Sequence, residues 1–191
     1  MKAAGLGLAL GAGIVGAIAS YFAAIVLWRA GNGTDERSAT RPAWVEVTWP
    51  FPIDQWGKGR AFACKSADCG SAVKLYVRAK LGSCNCTTGV ADDDDLDRMS
   101  DFDLIGGEVS PLGAGRGIAV GRMKGRSRAY TVTARNAPGG SAISVVVNDR
   151  CDMVVATALL PHDQPAAIEP AVMAFLNSQT ILHWAEVALG I

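Results

Sequence analysis

The sequence predicts an α+β fold: an antiparallel sheet packed by carboxyl-terminal helices and preceded by one amino-terminal transmembrane helix. Three observations carry that expectation. No charged residue occurs from Ala3 to Trp28, β-branched residues recur in short alternating runs from Trp44 to Leu160, and helical spacing replaces the alternation after Pro161.

The charge-free segment comes first. As a helix it reaches about 39 Å at about 1.5 Å per residue, more than the roughly 30 Å of a bilayer's hydrocarbon core. Lys2 and Arg29 flank it, and Tyr21, Phe22 and Trp28 gather at its distal end, where aromatic rings favour the headgroup boundary. Residues 1–29 therefore read as a transmembrane anchor. A cleaved signal peptide, cut after Ala17-Ile18-Ala19, is the competing reading. It leaves the apolar stretch Tyr21 to Trp28 exposed at the new start. Arg29, Arg37 and Arg41 on the far flank oppose Lys2 in setting orientation, and the clustered cysteines decide for export of the domain. Residues 30–43 are Gly, Ser, Thr and charge without an apolar period, which is a tether. The domain is 44–191, a size suited to one core.

Within it, Trp44 to Trp49 alternates and is stopped by Pro50 and Pro52. From Ser71 to Lys80, Val73, Leu75, Val77 and Ala79 point one way, and Lys74, Tyr76, Arg78 and Lys80 the other, so a half-buried strand is expected. Arg128 to Arg135, Ser141 to Val147 and Met153 to Leu160 are separated by turn residues and read as a meander. Ile168, Val172, Phe175 and Leu176 mark one helix. Ile181, Trp184, Ala185 and Ala188 mark a second, with Ser178 at its start and Gly190 at its end.

Five cysteines occur. Cys64, Cys69, Cys84 and Cys86 lie within one short region, which in an exported domain predicts disulfides. A ring closed within Cys84-Asn85-Cys86 is strained, so each of these two is expected to pair with Cys64 or Cys69, leaving Cys151 as the odd thiol. The alternative is that the same four sulfurs bind a metal as thiolates, although one residue between ligands is atypical of zinc knuckles.

Formal charge is zero, from 18 basic and 18 acidic side chains, which argues against nucleic acid as a ligand. The acidic run Asp92 to Asp95, with Asp97, Asp101 and Asp103, reads as the first turn of a short surface helix in preference to a cation site, since Ile105 and Leu112 fall where a calcium loop needs oxygen donors. Arg122, Lys124, Arg126 and Arg128, with Lys74 and Arg78, form a candidate basic face for a partner, joined by Trp56 in an aromatic, proline-rich loop. That loop either presents a platform or plugs the sheet end. No catalytic signature is present: His162 and His183 are the only imidazoles, and His162 is the one candidate base for a small hydrolase.

The string Trp49-Pro50-Phe51-Pro52 with Asp54-Gln55-Trp56-Gly57-Lys58-Gly59-Arg60-Ala61-Phe62, followed by Cys64 and Cys69, resembles bacterial envelope proteins of unassigned role. The resemblance covers the first half of the domain and implies a bacterial, exported setting. The expectation is a single-pass inner-membrane protein with its domain in the periplasm. It is read as a non-catalytic interaction or accessory module without a cofactor, held to the membrane by residues 3–28 and meeting a protein partner in the envelope. A thiol-based metal or redox protein is the alternative.

Overall fold

The computed structural model describes residues 43–133, 139–161 and 164–191, and the apolar segment 3–28, nearly all of the tether and His162 lie outside them. In chain order the elements are β1 (Trp44–Val47), β2 (Arg60–Cys64), α1 (Ser66–Cys69), β3 (Val73–Lys80), α2 (Asp93–Met99) and α3 (Phe102–Ile105). There follow β4 (Glu108–Pro111), β5 (Arg116–Val120), β6 (Met123–Thr133), β7 (Gly140–Asp149), β8 (Asp152–Leu160), α4 (Pro165–Leu176) and α5 (Gln179–Leu189). None of the described helices is long and apolar enough to cross a membrane.

The strands build one eight-stranded sheet in the order β1-β2-β3-β8-β7-β6-β4, with β5 also on β6. Every pairing is antiparallel. The predicted meander is β6-β7-β8. Its first strand is long enough to pair β5 along its first half and β4 along its second. The expected α+β class and the two closing helices are present, and Gly190 ends α5 in the left-handed region at φ 68°.

One sheet face carries Val73, Leu75 and Val77 of β3, Val145 of β7 and Ala156 of β8. It is covered by Ile168, Val172 and Leu176 of α4 and by Ile181, Ala185 and Leu189 of α5. The apolar period of each helix thus meets the apolar period of the strands. Trp44 stacks on Phe175 at 4.8 Å between ring centroids, which clamps the edge strand β1 to α4.

The second face differs from expectation. Half-buried strands predict a second face open to water, yet α2, α3 and the loop from Trp49 cover it. Leu96 and Met99 of α2 pack on Val146, Met153 and Val155. Trp49 packs on Ala61 and Tyr76, with Phe51 set edge-on at 5.2 Å. The helix read as a surface feature is therefore a second covering layer, and Trp49 plugs the sheet end. Strand β7, sandwiched between both layers, has no fully exposed residue.

Candidate functional site

The site lies where β3 ends, around the turn Asp54 to Gly57. One carboxylate oxygen of Asp54 accepts the Trp56 N–H at 2.8 Å, and the Gly57 N–H donates to the Asp54 carbonyl at 2.9 Å. Gly57 has φ 75°, which a Cβ would strain. This turn presents Trp56 at a fixed position. The other Asp54 oxygen accepts from Arg78 at 2.6 Å, tying the turn to β3.

Beneath it is a buried ion cluster. Arg78, Lys80 and Asp101 are only 5%, 7% and 5% exposed. Arg78 donates twice to Asp101, each bond 2.7 Å. Lys80 donates to Asp101 at 2.6 Å and to the Met99 carbonyl at 2.9 Å, and lies 5.8 Å from the centre of the Trp56 ring. Bidentate guanidinium pairing and the Met99 carbonyl's acceptance of a Lys80 N–H satisfy the buried donors, as burial of charge requires.

Two clefts flank Trp56. A polar one of about 510 Å³ is walled by the ion cluster, Arg98 and Asp103. On the other side a groove of about 380 Å³ is lined by Gln55, Trp56, Lys58, Leu81, Trp184 and Ala188, with polar and apolar surface in nearly equal share. Leu81 is 57% exposed, and Val187, one turn from Trp184 on α5, is 70% exposed. Leu81 in the groove between two indoles, with Val187 exposed nearby on α5, marks a surface that water solvates poorly.

The candidate basic face is corrected. Arg78 is buried in the ion cluster and unavailable to a partner. Arg126 bonds Asp93 at 2.7 Å, and Arg128 bonds Asp97 at 3.0 Å and the Gly113 carbonyl at 2.6 Å. Tyr130 also donates to Asp97. The basic stretch and the acidic run therefore neutralise each other and hold α2 on the sheet. Arg122 lies against Asp149 at 3.2 Å, whereas Lys74 and Lys124 are exposed on separate strands. Of the predicted partner-contacting residues, only Trp56 lies in the groove, and Leu81 and Trp184 were not foreseen.

Two of these carboxylates have depressed pKa values, Asp54 chiefly through the Arg78 hydrogen bond and Asp93 chiefly through the Gly115 N–H, followed by Arg126. Because the folded values lie below the unfolded ones, the associated stability is complete above about pH 4 and drains away as pH falls through the folded values. The melting temperature is expected to hold level from pH 7 to about 5 and to decline below about 4. Circular dichroism melts across that range check this, and a level profile to pH 2 would contradict it.

The cysteine pairing is also corrected. Disulfides join Cys64 to Cys69 and Cys86 to Cys151, and Cys84 is the free, buried thiol. Strand register supplies the reason. Cys64 pairs with Val73 at the start of β3, whereas Lys80 at its end pairs with Met153, beside the β7–β8 turn that holds Cys151. The chain leaving β3 thus delivers Cys84 and Cys86 to Cys151, a strand's length away from Cys64 and Cys69. The four sulfurs of the metal alternative are consequently not brought together. Among the described residues no group of three or more His, Cys, Asp or Glu is placed to hold a metal ion. His183 is exposed on α5, 4.0 Å from Glu186. Compared with known proteins, the chain matches no family model and no curated protein sequence.

Proposed function

We propose that the chain is a membrane-anchored extracytoplasmic interaction module that binds an amphipathic segment of another envelope protein in the groove between Trp56 and Trp184. One observation carries this reading. Trp56, Leu81, Trp184 and Ala188 line an open groove, with Gln55 and Lys58 beside them, on a scaffold fixed by the buried ion cluster and by α5. Rigid aromatic anchors beside exposed aliphatic groups are the composition of interaction hot spots. Lys58 at the rim suits an acidic residue flanking the bound segment. The two disulfides support an oxidising compartment, and the charge-free segment 3–28 supports an anchor. Nothing in the groove resembles a nucleophile with its base, so the groove itself docks a partner without covalent change.

The test is photo-crosslinking in cells from a reactive residue at position 187. A discrete crosslinked partner is expected, and Trp56→Ala or Trp184→Ala is expected to lower its yield at least tenfold while leaving the fold's circular dichroism intact. A yield indifferent to both substitutions rules the groove out.

A further inference from the structure

Three cysteines meet at the end of β3, and their arrangement goes beyond docking. Cys151 occupies the two-residue turn between β7 and β8, next to Arg150, which takes the left-handed φ of 54°. Its sulfur is bonded to Cys86. Cys84 donates its backbone N–H to the carbonyl of the same Cys151 at 3.3 Å, and its S–H to the carbonyl of Arg150 at 3.2 Å. A direct main-chain hydrogen bond keeps two Cα atoms close to the roughly 4.4–6.8 Å that a disulfide spans. Cys151 therefore has one cysteine bonded to its sulfur and a second held beside it through the backbone. They differ in exposure: Cys86 is open to solvent, whereas Cys84 is buried among Val90, Leu96, Met99 and Met153.

We propose that Cys84, Cys86 and Cys151 form a thiol–disulfide exchange site, in which Cys151 transfers from Cys86 to Cys84 and so presents Cys86 as a reactive thiol to disulfides of other exported proteins. The step balances internally. The Cys84 thiol loses its proton to solvent, and its sulfur attacks Cys151 Sγ. The Cys84–Cys151 bond forms, the Cys86–Cys151 bond breaks, and its electron pair leaves on Cys86 Sγ as thiolate. One disulfide and one thiol exist before and after, so no oxidant is needed. The Cys86 thiolate then attacks a partner's disulfide, forming a mixed disulfide and releasing the partner's second sulfur as thiolate. Burial first, and the Asp152 carboxylate second, push the Cys84 thiol above its usual range, so the attacking thiolate is scarce near neutral pH and exchange speeds up as pH rises.

Full-length protein in native buffer at pH 9 is treated with iodoacetamide, digested without reduction and fragmented in a mass spectrometer so that Cys84 and Cys86 are resolved. The expected product carries the label on Cys86 together with a Cys84–Cys151 link, and Cys84→Ala lowers the Cys86 label at least tenfold. Label on Cys84 alone with Cys86–Cys151 intact, no label on any of the three, or equal Cys86 label in Cys84→Ala overturns the proposal. A second variant guards against misfolding. With Cys64–Cys69 intact, air-oxidised Cys86→Ser is expected to form Cys84–Cys151, and two persistent thiols there also overturn it.

Discussion

Asp101→Ala is expected to lower unfolding stability by about 3–5 kcal/mol, because it leaves two cations buried with no local counter-charge of similar depth. Asp101 accepts both Arg78 bonds and one from Lys80, and all three side chains are nearly inaccessible. Asp54 remains to bond Arg78, but its side chain is 39% exposed and lies on the solvent side of the cluster. Lys80 keeps only the Met99 carbonyl. The companion Asp54→Ala is expected to cost about 1 kcal/mol or less, since that pair is solvated and Arg78 retains Asp101. Urea unfolding of both variants reads the contrast. Equal losses would show that the cluster's energy is not concentrated on the buried carboxylate.

Cys151→Ser is expected to be as damaging, at about 4 kcal/mol, and Cys69→Ser about half of that. The difference follows from chain entropy. The Cys86–Cys151 bond closes a loop of sequence separation 65, whereas Cys64–Cys69 closes one of separation 5. A longer loop removes more freedom from the unfolded chain, although the dependence is only logarithmic. The long link also joins the exit of β3 to the β7–β8 turn, holding together the two ends of a central pairing. Thermal melts of the two variants under non-reducing conditions rank them, and a larger loss in Cys69→Ser would overturn the entropic account.

Much of the sheet could be read in advance because its strands alternate cleanly, and the closing helices because Ile168 with Val172 and Ile181 with Ala185 repeat at helical spacing. What alternation cannot tell is whether a polar side faces water or a second layer. Arg78 and Lys80 look like a solvated face until Asp101, 23 and 21 positions away, is folded against them. Arg126 and Arg128 look like a free basic patch until α2 brings Asp93 and Asp97. Strands β4 and β5 escaped notice because Pro111, Gly115 and Gly117 signal turns, and pairing with the long β6 overrides that signal. The cysteine partners depended on β3 lying beside β8, a register set by long-range packing. Trp56 was identifiable as an aromatic in a proline-rich loop, but Leu81 and Trp184 join it only through the third dimension.

The pairing of β3 with β8 also dictates the order of assembly. Val77 meets Ala156 across nearly eighty residues of chain, whereas β6, β7 and β8 follow one another through close connections. Local pairings close quickly and distant ones slowly, so β1-β2-β3 and β6-β7-β8 are each expected to pair early and the β3–β8 seam to join them last. A chain that emerges from the ribosome or a translocon amino end first therefore holds β3, rich in valine and leucine, with one edge unpaired until β8 appears. That interval is when the nascent protein is most open to aggregation and most dependent on chaperones.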